Sequence, residues 1–326
     1  MHRVQIAGTG CYLPPRVVPS ADVEAWCGVP AGWAEAHAGV RERRRAEGET
    51  ASDMAAKASR DALAAAGLEA RDVDLVISAS GTPEQPLPDG GVLLHRALGL
   101  TAVPAFAVHA TCLGFLAALH LAAPLVAAGA YRRVLIACGE VSSGALNPAE
   151  PESAVLFGDG AAAAILTPTP AGEASAVEAV RFETFSEGAD LTAVRGGGSR
   201  LHPNRPDRRD ADFLFAMDGR GVLRLTMQHL VPFLDALRPG LARGLVGIDR
   251  VVPHQASRAG FRLMEGLGWP TERVEHTLAW TGNCVAASIP IALHTAVAAG
   301  RIGRGDRVLL TGTGAGLTLG GIVLTF

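Results

Sequence analysis

Lysine is almost missing from this chain of 326 residues: Lys57 is the only one. No Gly-x-x-x-x-Gly-Lys run exists, so a P-loop is excluded, and Schiff-base chemistry loses its usual amine. Arginine supplies the remaining positive charge. Neither sign is in excess, with 29 basic and 32 acidic residues and a net charge of −3, and there is no basic arm or acidic tail. That removes the electrostatic footprint of nucleic-acid binding. Aromatic residues are only 5% and charged residues 19%, while 48% are hydrophobic, enough for a sizeable core in one unit or two fused halves. Long apolar runs are also scarce. The longest nearly uncharged stretch, Leu113 to Tyr131, carries His120 and Pro124 and is at the edge of bilayer-spanning length, so it reads as a buried helix. The first residues lack the apolar core and cleavage site of a secretory signal, and five cysteines cannot all pair with one another. A reducing cytoplasm and no membrane are expected.

What the chain does have is an internal duplication. Cys112-Leu-Gly-Phe-Leu-Ala-Ala-Leu-His leads through Ala127-Ala-Gly into Arg133-Val-Leu-Ile-Ala-Cys-Gly, and Cys284-Val-Ala-Ala-Ser-Ile-Pro-Ile-Ala-Leu-His leads through Ala298-Ala-Gly into Arg307-Val-Leu-Leu-Thr-Gly-Thr-Gly. Upstream, Val73-Asp-Leu-Val-Ile-Ser answers Ile248-Asp-Arg-Val-Val-Pro; downstream, the stretch from Gly158 answers the one from Gly316. Strands such as Val134 to Cys138 and Val308 to Thr311 are continuously apolar, the pattern of strands covered on both faces. Met54 to Ala66 reads as a helix of small residues with Gly67 beyond its end. The fold class is therefore α/β: two pseudo-repeated halves, 1–170 and 171–326, in layers with helices between and outside two sheets. Arg195 to Asp212 reads as a surface loop between β segments.

The chemistry-bearing candidates follow from this layout. Cys112 comes after a strand expected to be buried, Val103 to Val108, and opens an apolar helix, where free backbone N–H groups and the helix dipole favour the thiolate. Cys11, Cys27 and Cys138 read as small buried hydrophobes. His254, in Pro-His-Gln-Ala, stands at the carboxyl end of a buried strand, where open α/β sheets place ligands. Asn283, one of three asparagines, stands in the slot that the echo gives to Thr111; an N-cap is its ordinary use. If the halves face each other, Cys112, His254 and Asn283 meet near the internal two-fold axis. A thiol, an imidazole and a carboxamide together suit thioester chemistry.

Ala-Thr-Cys-Leu-Gly-Phe at Cys112, Pro-His-Gln-Ala at His254, Gly-Asn-x-x-Ala-Ala-Ser-Ile-Pro at Asn283, Phe157-Gly-Asp-Gly-Ala and Gly39-Val-Arg-Glu-Arg-Arg together resemble the β-ketoacyl-acyl-carrier-protein synthase III family, in order from Val4 to Phe326. The resemblance implies a thiolase-like five-layer αβαβα fold, a homodimer and a Cys112-His254-Asn283 triad. It implies that an acyl-CoA acylates Cys112, and that a malonyl-acyl-carrier protein then undergoes decarboxylative Claisen condensation. The backbone N–H groups of Cys112 and Ala315 would form the oxyanion hole. Trp33 would stack on the CoA adenine, and Leu87 would close the acyl pocket of the dimer partner, where a leucine leaves it longer or wider. Phe157, Arg220 and Ser257 fall at substrate-side positions, Arg258 at a carrier-protein docking position, and Asp159 at a turn where it satisfies backbone donors. The implied reaction needs no metal or resident cofactor, since the CoA thioester is a substrate.

The chain departs from the family pattern on the CoA side. His37 stands for a phosphate-pairing arginine, Arg220 and Ser257 for pocket asparagines, Cys284 for a common threonine, and an arginine near Glu152 is missing. Phosphate binding would be weakened, or shifted to Arg41, Arg43 and Arg220. Such changes resemble specialised branches that load unusual starters. Two other readings therefore stand beside condensation. One is an acyltransferase in which His254 is general base for a hydroxyl or amine of a natural product; the other is a non-catalytic partner subunit, against which the presence of Cys112 counts.

Overall fold

The computed structural model describes residues 1–326. Its strands send alternate side chains into two different apolar layers, and this is why the sequence shows no polar alternation. The first sheet holds β1 (Val4–Tyr12), β2 (Leu75–Ser78), β3 (Ala105–Ala107), β4 (Val134–Glu140) and β5 (Gly160–Pro168), in the order β1-β5-β4-β2-β3. β2 is parallel to β3 and β4; β5 is antiparallel to β4 and β1. The second sheet holds β6 (Ala176–Thr184), β7 (Arg250–Pro253), β8 (Arg307–Gly314) and β9 (Thr318–Thr325), in the order β7-β8-β9-β6. Only β7 and β8 are parallel there. The second order repeats β2-β4-β5-β1, and the counterpart of β3 shrinks to one bridge between Val251 and Val274.

Four helices complete the layers: α1 (Ala51–Ala65), α2 (Gly114–Ala127), α3 (Gly219–Leu237) and α4 (Ser288–Ala298). Val134, Ile136 and Cys138 of β4 and Val308 and Leu310 of β8 share the central core with α2 and α4. Leu135 and Ala137 face α1 on one outside, and Leu309 and Val323 face α3 on the other. The result is the αβαβα stack. No helix is long and apolar enough to cross a membrane.

Small residues set the spacing between layers. α1 begins at a Thr50–Asp53 capping box and presents Ala58 and Ala62 to β1. A Cβ at Gly10 would stand 2.1 Å from the Ala58 carbonyl oxygen, and one at Gly8 2.3 Å from that of Ala62. Neither backbone atom can yield without moving the helix.

Several expectations are corrected. Thr111 and Val285 both have positive φ, 48° and 46°, and each opens a single 3-10 turn that runs into α2 or α4. Thr111 therefore matches Val285, Cys112 matches Ala286, and Asn283 matches His109, two residues away from the echo that paired Cys112 with Cys284 and Asn283 with Thr111. Helices of small apolar residues look alike in any register; only the backbone marks where the turn falls. The stretch Val103 to Val108 is no buried strand: β3 covers Ala105–Ala107 at the sheet edge, and Phe106 is 40% exposed. All five cysteines are unpaired, but Cys11 and Cys27 lie half-buried at core margins, and only Cys138 of the three is fully buried. The 195–212 segment is an exposed connection between two paired short strands, Thr192–Ala193 and Ala216–Met217.

The close approach of α1 to β1 is testable by calorimetry. Gly10→Ala is expected to cost about 1–3 kcal/mol through overpacking and to lower the melting temperature by several degrees. Gly144→Ala, whose Cβ meets nothing within 4 Å, should leave it unchanged.

Candidate active site

Cys112 occupies the middle of the Thr111–Leu113 turn that feeds α2. The left-handed Thr111 is approached by glycine backbone from two sides, and a third glycine seats the start of α2. A Cβ at Gly114 would lie 2.1 Å from the Ala79 carbonyl oxygen; at Gly81, 3.1 Å from the Thr111 carbonyl oxygen; and at Gly314, 2.8 Å from Thr111 Oγ1. Gly81 and Gly114 come from the first half, and Gly314 ends β8 in the second.

The same strand positions His254. Its backbone N–H donates to the Thr311 carbonyl at 2.8 Å, and a Cβ at Gly312 would fall 2.5 Å from His254 Cβ. Glycine at 312 thus gives the imidazole its place, while glycine at 314 lets the Cys112 turn lie against the same strand. Asn283 is tied to the Phe157 segment: its N–H donates to Leu156 O at 2.8 Å and its carbonyl accepts from Gly158 N–H at 3.1 Å. The side-chain Oδ1 accepts from Val285 N–H at 2.9 Å and Ser288 Oγ at 3.4 Å. The amide Nδ2 remains as donor. The Val285–Ala287 turn packs on the Cys112 turn, since a Cβ at Gly81 would meet Val285 Cγ1 at 2.6 Å and one at Gly114 would meet Ala286 Cβ at 3.3 Å. Cys112 therefore lies between the strand beside His254 and the turn after Asn283.

Burial governs the electrostatics. It pushes the Cys112 thiol up to about 12, ionised Glu140 adds to that, and the residue's own backbone N–H works the other way. Desolvation at this position opposes the thiolate that the helix N-terminus favours. Burial also lowers His254 to about 4, so its imidazole is neutral above that pH. Both shifts favour the neutral thiol and the neutral imidazole at rest.

Glu140 was not found from the sequence. Its one signal is a lone acid ending the uncharged strand β4. Fully buried, it accepts hydrogen bonds from Gly81 N–H at 2.7 Å, Thr82 N–H at 2.8 Å, Thr82 Oγ1 at 2.6 Å and the Ala286 N–H. Desolvation raises it to about 7 even though these bonds pull it down.

The remaining positions surround this centre unevenly. Phe157 is buried, makes an edge contact with Phe215 at 4.7 Å and belongs to the cluster on which Cys112 packs. Ala315 follows Gly314 in the turn after β8. Asp159 accepts from Ser143 N–H and Ala46 N–H, both at 3.0 Å, which is the structural duty read from its turn. Trp33 is stacked on His37 with centroids 4.3 Å apart, so one face of its indole is covered. Buried Glu24 secures that segment by accepting from Gly32 N–H and Ala34 N–H. Arg258 is exposed beside it and donates to Ala36 O at 3.3 Å; Ser257, half-buried, precedes the Arg258–Gly266 helix.

Leu87 is 85% exposed, remote from the packed centre. Arg220 is exposed in the first turn of α3. Arg41 is exposed, but Arg43 is fully buried, donates to Val155 O at 2.7 Å, and is lowered to about 10 by burial. It cannot reach a phosphate, which corrects the idea of its helping Arg41 and Arg220. A cleft of about 500 Å³ near Met217 is lined by Glu150, Glu152, Asp190 and Asp218 against Arg195 alone. Cys284 is buried with its thiol 3.5 Å from Thr281 O. No three His, Cys, Asp or Glu side chains cluster as metal ligands do.

Two family models match, 3-oxoacyl-[acyl-carrier-protein] synthase III over residues 106–188 and the C-terminal region of the same enzyme over residues 245–326. The chain is 38% identical to a beta-ketoacyl-[acyl-carrier-protein] synthase III of Streptomyces coelicolor, covering 98% of this chain and 96% of that one. It is 39% identical to the acetoacetyl CoA synthase NphT7 of a Streptomyces species, covering 97% and 96%. The crystal structure of the synthase III of Aquifex aeolicus superposes with a TM-score of 0.88 at 32% identity, covering 99% of this chain and all of that one (100%). With the αβαβα stack and the Cys112 turn clamped at the junction of its halves, the chain belongs to the β-ketoacyl-acyl-carrier-protein synthase III family.

Proposed function

We propose that the protein is an acyltransferase of the condensing type, which loads an acyl group from acyl-CoA onto Cys112 and joins it to a malonyl thioester with loss of CO2. The observation that carries this reading is the packing of the Cys112 turn between the strand beside His254 and the turn after Asn283, in a chain of this family. Cys112 Sγ attacks the thioester carbonyl. The thiol proton leaves as attack proceeds, since burial favours the neutral thiol, and it ends on the departing CoA thiol. The N–H groups of Cys112 and Ala315 stabilise the oxyanion, each such donor contributing about 3 kcal/mol.

The malonyl thioester then lies with its carbonyl on His254 and Asn283 Nδ2. Neutral imidazole and carboxamide donors suit an enolate that forms as CO2 departs. The enolate carbon attacks the acyl-Cys112 carbonyl, the C–S bond breaks, and the β-ketoacyl product leaves a thiolate that takes a proton from solvent. Burial lowers the basicity of His254, which disfavours its use as general base for an alcohol.

On the surface, the unpaired edge of β3 with exposed Phe106, and exposed Leu87 and Val92, support a homodimer in which Leu87 of one copy closes the acyl pocket of the other. Trp33 offers its free face to adenine, and the exposed Arg41, Arg220 and Arg258 are available for phosphate or an acidic carrier protein. Phe157 and Ser257 line the substrate side. Five unpaired cysteines and CoA dependence fit the cytoplasm.

The two half-reactions separate by mutation. Cys112→Ser is expected to abolish the acyl adduct in intact-protein mass spectrometry. His254→Ala and Asn283→Ala should retain the adduct while labelled CO2 release from malonyl-carrier protein falls about 100-fold or more.

Glu140 gives a pH prediction with a definite sign. Below pH 6 it is protonated, and alkylation of Cys112 by iodoacetamide should proceed equally in wild type and Glu140→Gln. Above pH 7 the ionised carboxylate opposes thiolate formation, so the variant should react about three-fold faster or more at pH 8. Equal rates at pH 8 would refute the coupling.

The acidic cleft predicts weak CoA binding. Glu152→Arg should lower KM for acyl-CoA by several-fold at low ionic strength, with the gain shrinking in about 0.5 M salt.

A further inference from the structure

Between β8, α3 and the Arg258–Gly266 helix lies a cavity of about 80 Å³, with His254 in its wall. All of its lining residues come from the second half, Thr226 to Leu319; none belongs to the Cys112 turn, the Leu87 loop or the Phe157 segment. It lies on the α3 face of the second sheet and meets the Cys112 side only at His254. Leu230, Phe233, Leu263, Met264, Trp269 and Leu319 make the wall hydrocarbon.

Its polar groups are largely occupied. Thr226 Oγ1 donates to Val222 O, Thr311 Oγ1 to Gly320 O, and Trp269 Nε1 to Leu241 O. His254 Nδ1 is buried without a partner. Gly260 keeps one side open, since a Cβ there would meet nothing within 4 Å. A pantetheine arm, with two amides to satisfy, does not suit this wall. A small alkyl group does.

The alkyl group must be attached to whatever His254 holds. On the proposed function, that is the carbonyl of the malonyl thioester, and the neighbouring atom is the α-carbon. We propose that this cavity receives a substituent on that carbon, so that the enzyme accepts α-alkylmalonyl thioesters as extenders. This rests on the condensation reading above. The volume, at about 30 Å³ per water-sized unit, holds roughly one to three carbons, and burying each methylene favours binding about four-fold. The chemistry balances as for malonate. The Cα–carboxylate bond breaks and CO2 leaves; its electron pair forms the new C–C bond to the acyl carbon. Cys112 departs as thiolate, and the product is a 2-alkyl-3-ketoacyl thioester.

The test offers acyl-loaded enzyme an equimolar mixture of malonyl-, methylmalonyl- and ethylmalonyl-carrier protein and counts products by mass spectrometry. Wild type should form the 2-methyl and 2-ethyl products at no less than about one-tenth of the malonyl rate. Gly260→Leu, which fills the cavity, should lower the ratio of substituted to unsubstituted product at least ten-fold; Met264→Ala, which enlarges it, should raise the ratio for ethylmalonyl. Condensation of malonyl alone by wild type, or ratios unmoved by both variants, would overturn the inference while leaving the condensation reading intact. Failure to condense any of the three would overturn both.

Discussion

One strand serves as the ruler of this molecule. β8 must pass close enough to His254 at Gly312 and to Thr111 at Gly314 that a single Cβ at either place would overlap its neighbour. Because those two contacts lie two residues apart on one straight element, the segment carrying His254 from the second half and the turn carrying Cys112 from the first are seated on the same strand. Rigid elements place groups more accurately than loops do, and the central core shared by α2, α4 and both sheets keeps β8 from shifting.

Burial at this junction decides the chemistry available. Water is largely excluded, so each ionisable group is displaced toward its neutral form: thiol, imidazole and the Glu140 carboxyl. Such a site is poor at storing a charged nucleophile and good at meeting charge that develops during reaction, where fixed N–H donors act in a low dielectric. Glu140 adds a second function. Its carboxylate ties the Gly81–Thr82 segment and the Val285 turn to the end of β4, so the two halves are joined by hydrogen bonds directly beside the nucleophile.

The side toward CoA is built on a different balance. Where phosphate groups would favour arginine, the cleft near Met217 presents four carboxylates and one guanidinium, and Arg43 is sequestered in the interior. On the proposed function, recognition of CoA would fall to stacking at Trp33 and to the exposed Arg41, Arg220 and Arg258. The cavity beside His254 is hydrocarbon-walled and, like the acidic cleft, lies outside the Cys112 turn, so neither feature disturbs the junction itself.

Much of this was legible in the residues. Continuous apolar strands announced two doubly covered sheets, because a strand with solvent on one face must alternate. The duplication announced two like halves, and the Cys112, His254 and Asn283 motifs named the groups carried by the elements at their junction. The register of the repeat was not legible, since alanine-rich helices carry no mark of phase; the positive φ of Thr111 and Val285 supplied it. Nor was the edge position of β3, because an apolar edge strand reads like a core strand. Arg43 and Glu140 were beyond reach for a related reason: whether a charged side chain is immersed or exposed depends on neighbours far away in the chain. What the sequence determined by itself is which groups are present and which elements carry them, for these follow from local composition and spacing. Only the tertiary structure decided their protonation and their access to phosphate, since desolvation is a property of everything packed around a group.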